Sequence, residues 1–337
     1  MRHDTYRRHV PALMVGLLVL AAPVLSQTPI RDLGVLPDAL FSSAIAINDR
    51  GEVAGSSGLD EGISQHAVLW TDDGAIDLVP LPGHQYSHAT GMNNRGQVVG
   101  ISRSTIEDTR AVLWDDGMPV NLGTLPGGTY SDAADINDKE QIAGTATTAS
   151  GEIHIVRWDD GVISDLGPIP GGSGFVTAIN KRGDIVGFTQ VAQASRGFLV
   201  RDGVITLLPP LGGTFSAAYD INDRGWIVGY SSTNNNEAHL TLWRGGAPID
   251  LGTFTTGRLT IGTGLNNRGQ IVGWGYTAEF EPHAFLWEDG QFIDLGTLPG
   301  GTSSFAMDIN KKGEIAGLSN AADFETTVHA VVWNPRR

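Results

Sequence analysis

The sequence contains no cysteine among its 337 residues. This absence excludes disulfide bonds, thiolate catalysis and a lipidated cysteine anchor, so a protein of this kind needs a sufficient core of its own. The sequence also lacks a G-x-S-x-G elbow, an H-E-x-x-H motif, a P-loop and a D-x-D-x-D-G calcium loop. We therefore predict no catalytic residue, no metal ligand and no cofactor.

Long apolar runs are also scarce, because only Ala12–Leu25 qualifies, after a start that contains three arginines. The run is too short to cross a bilayer comfortably, and Val24 and Ser26 stand at the −3 and −1 positions of a plausible cleavage site. We expect residues 1–26 to be a signal peptide, cleaved near Ser26, and residues 27–337 to form the exported domain without a membrane span. An Arg-Arg pair hints at twin-arginine export, although the residues after it fit that pattern poorly.

Positive charge is low, with 22 Lys and Arg against 37 Asp and Glu. Cleavage would remove three Arg and one Asp, which leaves 19 basic and 36 acidic residues and a net charge of −17. Such a surface repels phosphate backbones and anionic lipids. We expect a secreted monomer, periplasmic or extracellular, that binds no nucleic acid and whose partner is an unknown glycan, peptide or protein.

What the sequence does contain is a repeat. The pentapeptide INDRG occurs at Ile47–Gly51 and again at Ile221–Gly225, and looser versions recur along the chain. The asparagine of each copy, here called the reference asparagine, stands 42 to 45 residues from the next: Asn48, Asn93, Asn137, Asn180, Asn222, Asn266 and Asn310. In all seven copies a glycine follows seven residues later, and a leucine precedes by about fifteen residues. Such a period is typical of propellers and arrays.

Each copy predicts four short strands, A to D, bounded by Gly, Asp, Asn or Pro. An Asp-Gly turn joins C to D in most copies, as at Asp160–Gly161, and a Pro-Gly-Gly loop joins D to A. The last copy lacks strand D, whereas Pro29–Gly34 is a D strand without a copy of its own. The sequence therefore predicts an all-β, seven-bladed β-propeller with four-stranded blades, in which this N-terminal strand closes blade seven beside the strand of Trp333.

The INDRG segments fall at the turn from strand A to strand B. We interpret them as architecture, because all seven copies keep the asparagine, whose side chain can bond its own downstream backbone. The glycine three residues later suits a positive φ, and Glu140 is the one exception. Tryptophans of strand C are expected to pack between blades, with Val200 replacing the seventh: Trp70, Trp114, Trp158, Trp243, Trp287 and Trp333.

A basic or imidazole residue opens strand C in every copy. The seven residues are His66, Arg110, His154, Arg196, His239, His283 and His329. One residue per blade, far from the axis, cannot converge on a metal ion. We therefore expect each side chain to bond carbonyls of the neighbouring Pro-Gly-Gly loop.

The units resemble HAF repeats, a family of presumed extracellular bacterial repeats. The His-Ala-Phe triplet is literal at His283–Phe285, and the segments at Asp294–Thr302 and Asn121–Thr129 follow the DLGTLPGGT pattern of that family. The resemblance implies export and a repeat fold, with no established chemistry. Copies four and six depart from the pattern, at Arg196–Phe198 and Phe254–Gly257, so a ring-like site would be imperfect there.

Two groups of residues are candidates for a ligand site. Strand A carries an acid two residues before the reference asparagine in copies three, five and seven, namely Asp135, Asp220 and Asp308. These acids should lie inside the channel, where they bond local backbone and water or face a cation or basic ligand. Aromatic residues just before strand A should ring the channel mouth: Phe41, Tyr86, Tyr130 and Phe215. They either belong to the core or contact a ligand.

We therefore expect a non-catalytic binding or scaffold module whose ligand, neutral or cationic, contacts Tyr86, Tyr130 or Phe215 at the channel mouth. The alternative is a secreted carbohydrate-active lyase or hydrolase with a one-off site at the same mouth. Propeller enzymes usually carry long inserted loops, and the nearly equal blade lengths here favour binding.

Overall fold

The computed structural model describes residues 28–58, 65–106, 108–190, 195–255, 259–321 and 324–335. Within them, 28 strands form seven antiparallel four-stranded sheets, which are the blades of a β-propeller. The predicted signal peptide lies outside the described residues. The predicted fold class is confirmed.

Each blade follows the order of strands A to D. Blades one to three comprise β2 (Phe41–Ile47), β3 (Val53–Gly58), β4 (Gln65–Thr71) and β5 (Gly74–Leu78); β6 (Tyr86–Met92), β7 (Val98–Arg103), β8 (Thr109–Asp115) and β9 (Met118–Asn121); and β10 (Ser131–Ile136), β11 (Ile142–Thr147), β12 (Ile153–Asp159) and β13 (Val162–Pro168). Blades four and five comprise β14 (Gly174–Ile179), β15 (Ile185–Thr189), β16 (Gly197–Arg201) and β17 (Val204–Leu207); and β18 (Gly212–Ile221), β19 (Ile227–Thr233), β20 (Ala238–Arg244) and β21 (Ala247–Asp250). Blades six and seven comprise β22 (Thr260–Leu265), β23 (Ile271–Tyr276), β24 (Pro282–Glu288) and β25 (Gln291–Asp294); and β26 (Ser304–Ile309), β27 (Ile315–Ala321), β28 (Phe324–Trp333) and β1 (Ile30–Asp32).

The N-terminal strand closes the ring as predicted. Strand β1 is the outer strand of blade seven, where Ile30 pairs with Trp333 in antiparallel register. His329 on β28 also contacts the carboxylate of Asp32, with 2.7 Å between Nδ1 and Oδ2. The two ends of the chain thus share one sheet, and β28 is paired along both of its edges, with β27 and with β1.

Each reference asparagine forms a turn and also joins two blades. In blade five, the Oδ1 atom of Asn222 accepts hydrogen bonds from the backbone N–H groups of Arg224 and Trp226, at 3.0 and 3.1 Å. Its Nδ2 atom donates to the carbonyl of Asn266 in the next blade, at 3.1 Å. The same inter-blade bond recurs seven times and runs completely around the propeller. INDRG is therefore architecture, as predicted, with an inter-blade role that the sequence did not reveal.

Backbone geometry explains the repeated glycines. The third residue after each reference asparagine has a positive φ in all seven turns, including Gly225 at 75° and Glu140 at 63°. The glycine seven residues after the reference asparagine lies opposite a bulge in strand A. A Cβ atom on Gly229 would stand 1.9 Å from the carbonyl oxygen of Ala217. Both positions exclude ordinary side chains, for different reasons.

The tryptophans of strand C pack between blades, as predicted. Trp158 is fully buried, and its Nε1 atom donates to the carbonyl of Leu122 in the preceding blade, at 2.9 Å. Trp114 and Trp243 make equivalent bonds to Val79 and Pro209.

The prediction for the residues that open strand C is correct for the two arginines only. Arg110 donates to the carbonyl of Thr129, as expected for a bond to the Pro-Gly-Gly loop. The five histidines instead face an aspartate of strand D. In four blades it stands eleven residues later, as His154 faces Asp165 at 2.8 Å, and in blade seven it is Asp32 of β1. The reason is local sequence, because the arginine copies carry Asn121 or Leu207 where the others have this aspartate.

Candidate ligand site in the channel

Strand A of every blade lines the central channel, which holds two cavities. The wide cavity, about 600 Å³, opens where the A strands begin, and its lining includes His88, Asp132 and Tyr219. The narrow cavity, about 310 Å³, opens at the A–B turns and is lined by the reference asparagines and their neighbours. Asp135, Asp220 and Asp308 line both cavities and therefore form the waist of the channel.

Each waist carboxylate joins two adjacent blades. Asp135 accepts a hydrogen bond from the N–H of Ile136 in its own blade, at 2.7 Å, and one from Ile179 in the next, at 3.0 Å. Asp220 and Asp308 do the same in blades five and seven. The expectation that these acids lie in the channel and bond backbone is confirmed; their bonds to the next blade are an addition.

Threonines alternate with these acids around the ring. Thr90 in blade two donates to the carbonyl of Ala133 in blade three, at 2.7 Å. Thr177 and Thr263 make the same contact from blades four and six. Even-numbered blades thus reach their neighbour through a threonine three residues before the reference asparagine, and blades three, five and seven through an aspartate.

Small residues between the acids are a steric requirement. A Cβ atom on Gly91 would lie 2.6 Å from the Oδ1 atom of Asp135. A Cβ atom on Gly264 would lie 3.0 Å from the Cα atom of Asp308. A blade that precedes an acid thus has little room for a side chain at the waist, and this is why two successive blades do not both carry an acid.

The carboxyl groups of the waist hold their protons to higher pH than they would in water. Burial raises the pKa of Asp220 to about 7, with repulsion by Asp308 as the next cause. Burial also raises the pKa of Asp308 to about 6 and that of Asp135 well above its usual range. Hydrogen bonds from backbone N–H groups oppose these shifts without overcoming them, so the waist is a place where added positive charge is stabilising.

A polar sector occupies the wall of the wide cavity in blades two and three. His88 Nδ1 lies 2.7 Å from Ser56 Oγ and 3.0 Å from Gln65 Nε2. Burial lowers the pKa of His88 to about 4, with Arg103 contributing, so the imidazole is neutral at pH 7. Asp132, whose pKa is raised by burial, accepts a 2.7 Å hydrogen bond from the Tyr130 hydroxyl.

An aromatic sector occupies the opposite wall, in blades four to seven. Phe188 lies between Phe175 and Tyr219, with ring centroids 5.4 and 5.5 Å apart, and Tyr219 stacks on Tyr230 at 6.1 Å. In blades six and seven, Trp274 meets the ring of Phe305 at 5.1 Å. These spacings are typical of interacting aromatic pairs, so the sector consists of two clusters of rings, one in blades four and five and one in blades six and seven.

The aromatic residues predicted at the mouth divide into two groups. Tyr130 lines the wide cavity. Tyr86 lies behind the wall, because the Arg103 guanidinium covers its ring at 3.9 Å and Gln65 donates to its hydroxyl. Phe215 packs edge-on against Tyr230, 5.5 Å between centroids. Tyr86 and Phe215 therefore do not line the wide cavity, and their contact with a ligand stays a prediction.

Most of the missed residues occupy two positions of each repeat, five before and eight after the reference asparagine, which face each other across strands A and B; Tyr219 stands three before its asparagine. Phe175 pairs with Phe188, and Ile261 pairs with Trp274. Their side chains differ from copy to copy, while most other positions recur. That variation was the available signal.

The described residues contain no group of three or more His, Asp or Glu side chains placed to hold a metal ion. No helix in the described part of the chain has the length and hydrophobicity that crossing a bilayer requires.

Comparison with known proteins identifies the fold. No protein-family model and no curated protein matches the chain. A puromycin-hydrolysing peptidase of Mycobacterium tuberculosis is 14% identical with a TM-score of 0.60, over 91% of this chain and 54% of that one. The β-propeller domain of the Trilobed protease from Pyrococcus furiosus is 13% identical with a TM-score of 0.52, over 77% and 81% of the two chains. The chain thus spans about half the length of the peptidase. At these identities the similarity shows a β-propeller and leaves the resemblance to HAF repeats a prediction.

Proposed function

We propose that the protein is an exported, non-catalytic binding module whose ligand, a glycan, peptide or protein segment, occupies the wide cavity. The observation that carries the proposal is the division of this cavity into an aromatic and a polar sector. A concave site with apolar walls and a few oriented polar groups is the usual form of a ligand site. Export is inferred from the predicted signal peptide.

The variable positions support this assignment. Strand pairing, turns and inter-blade bonds recur nearly unchanged around the ring, so architecture accounts for the repeated residues. Beside the waist acids and threonines, the wide cavity is faced by residues that make none of these inter-blade bonds, such as Phe175 in blade four and Ile261 in blade six. Different side chains at equivalent positions give the cavity wall an asymmetric chemistry that a ligand can recognise.

Burial and the carboxylate of Asp132 raise the pKa of Tyr130, while His88 has a pKa of about 4, so neither group of the polar sector is a general base at neutral pH. Asp220 has a pKa of about 7, and its carboxylate is held by backbone N–H groups of two blades. The preference for binding over the lyase or hydrolase alternative therefore rests on the nearly equal blade lengths, because propeller enzymes usually carry long inserted loops.

The test is a screen of residues 27–337 against a glycan array, cell-wall fragments and a peptide library. Ligands should bind the unmodified protein and lose at least tenfold in affinity when Trp274→Ala and Tyr219→Ala are combined. Trp226→Ala is the matched control, because this indole lies on the opposite face beneath Arg244, 3.6 Å away. Retention of binding by the double variant, or its loss in the control, would place the ligand elsewhere.

A further inference from the structure

We propose that the wide cavity binds an amphipathic cation, with an apolar body on the aromatic sector and an ammonium or guanidinium group at the waist of the channel. The inference rests on the proposed function and specifies the charge of the ligand. Four observations carry it: the charges of the lining, the exposed aromatic walls, the unused acceptor capacity of the waist and the size of the cavity.

The charged groups of the cavity lining have one sign. Among the described residues that line it, Asp132, Asp135, Asp220 and Asp308 are carboxylic acids, and no lysine or arginine is present. His88 is neutral at pH 7 because of its low pKa. Walls of low polarity concentrate the field of these acids inside the cavity, which attracts cations and repels anions.

The aromatic sector suits the same kind of ligand. Aromatic faces attract ammonium and guanidinium groups and also cover the apolar parts of a ligand. The protein makes this contact within its own structure, where Arg103 lies over the ring of Tyr86 at 3.9 Å. Tyr219 lies beside Asp220 in strand β18, so one apolar surface and one carboxylate are adjacent in the cavity.

The waist carboxylates retain acceptor capacity. Each accepts two hydrogen bonds from backbone N–H groups, one of them from the following blade, as Asp220 does from Ile221 and Leu265. A carboxylate can accept about four. The remaining lone pairs are available to a donor that enters the channel, and an ammonium group supplies three N–H donors at once.

Cavity size sets the scale of the ligand. About 600 Å³ is within the range of small-molecule sites and accommodates a short peptide with one bulky side chain. An apolar residue next to a lysine or arginine in a peptide has the required combination of groups. Simple organic amines with an aromatic body have it as well.

Three capped dipeptides test the proposal: N-acetyl-Phe-Lys-amide, N-acetyl-Phe-Gln-amide and N-acetyl-Phe-Glu-amide, each titrated calorimetrically at pH 8 and low salt. The lysine peptide should bind at least tenfold more tightly than the glutamine peptide, and the glutamate peptide most weakly. Equal binding of all three, or preference for glutamate, would overturn the charge inference and leave the proposed function standing. Failure of all three to bind also overturns it, and the proposed function is then decided by the screen.

Variants locate the cation. Asp220→Asn combined with Asp308→Asn should abolish the preference for the lysine peptide. Asp138→Asn combined with Asp223→Asn makes the same change of charge at the narrow cavity and should leave the preference intact. Persistence of the preference in the first pair would overturn the assignment to the waist.

A measurement on the unmodified protein gives the same answer if the first pair fails to fold. Affinity for the lysine peptide should fall several-fold between pH 8 and pH 5 as the waist becomes protonated. Affinity for the glutamine peptide should stay constant. Among the other groups facing the cavity, Asp132 also has a raised pKa, and His88 stays neutral above about pH 4. A pH-independent preference for lysine would overturn the proposal.

Discussion

Asn310 donates from its Nδ2 atom to the main-chain oxygen of Asn48, 2.9 Å away, although 262 residues separate the two in sequence. This bond completes the ring of seven that links all reference asparagines. All seven side chains are 3–6% exposed, so their polar atoms are shielded from water. Removal of one member therefore leaves buried donors and acceptors unpaired in two blades.

Substitution of a reference asparagine should destabilise the fold. Asn222→Ala removes the acceptor for two turn N–H groups and the donor to the next blade, and we expect a loss of roughly 2–4 kcal/mol in the free energy of unfolding. Asp223→Asn is the matched control, with an expected change within about 0.5 kcal/mol, because an exposed amide can still accept from Lys181. Urea denaturation of both variants decides the point. Equal losses would show that the turn as a whole, rather than the buried bond, is responsible.

The one turn without glycine should be improvable. Glu140 holds a φ of 63°, which glycine adopts without strain, and its ion pair with Arg95 is exposed. Glu140→Gly should raise the free energy of unfolding by about 0.5–1 kcal/mol. Gly225→Val imposes the opposite change at a φ of 75° and should cost roughly 1–3 kcal/mol. Thermal melts of both variants provide the comparison, and a destabilised Glu140→Gly would contradict the strain argument.

Closure of blade seven should depend on the N-terminal strand. Deletion of residues 27–34 removes strand β1 and exposes the edge of β28, so we expect a lower melting temperature and aggregation. Asp32→Ala keeps the strand and removes only the contacts of one carboxylate, to His329 and to the N–H of Gly34. It should melt close to the unmodified protein, because the Asp32 side chain is 41% exposed. Calorimetry and light scattering test both. Unchanged melting and monodispersity of the deletion would refute the role of β1 in closure.

Stability should decrease between pH 6.5 and pH 8. The pKa of Asp220 is about 7 in the folded protein and near 3.8 in the unfolded chain, so its contribution is present at low pH and is lost as pH rises through 7. Linkage gives a decrease of roughly 1 kcal/mol over this window. The raised pKa of His283 acts in the same direction, whereas the lowered pKa of His88 has its effect below pH 6.5. Urea titrations at the two pH values measure the slope, which Asp220→Asn should flatten. An unchanged slope in that variant would assign the effect to other groups.

The fold was predictable because its determinants recur. The reference asparagine and the glycine seven residues later mark a turn and a bulge in every blade, and the missing last strand located the closure at Pro29–Gly34. The partner of an asparagine in the next blade was not predictable, since the distance between blades is a tertiary property.

The candidate site was predicted only in part. Asp135, Asp220 and Asp308 stood out because acids are unusual near a narrow axis. Tyr86 and Phe215 do not line the wide cavity, because position along strand A does not tell which aromatic ring is covered by a neighbour such as Arg103. Phe188 and Trp274 belong to strand B, and their approach to the axis follows from strand pairing.

The count of blades itself has a consequence. Aspartate and threonine side chains that bridge to the next blade can alternate strictly around the ring only when the number of blades is even. Seven is odd, and the alternation is interrupted in blade one, where Ile45 and Ala46 have no polar side-chain atom to bond blade two. Both line the wide cavity. Blade one therefore differs from the other six blades, and the three waist acids are not equivalent by rotation. An asymmetric molecule that enters the channel has one orientation of binding rather than three equivalent ones.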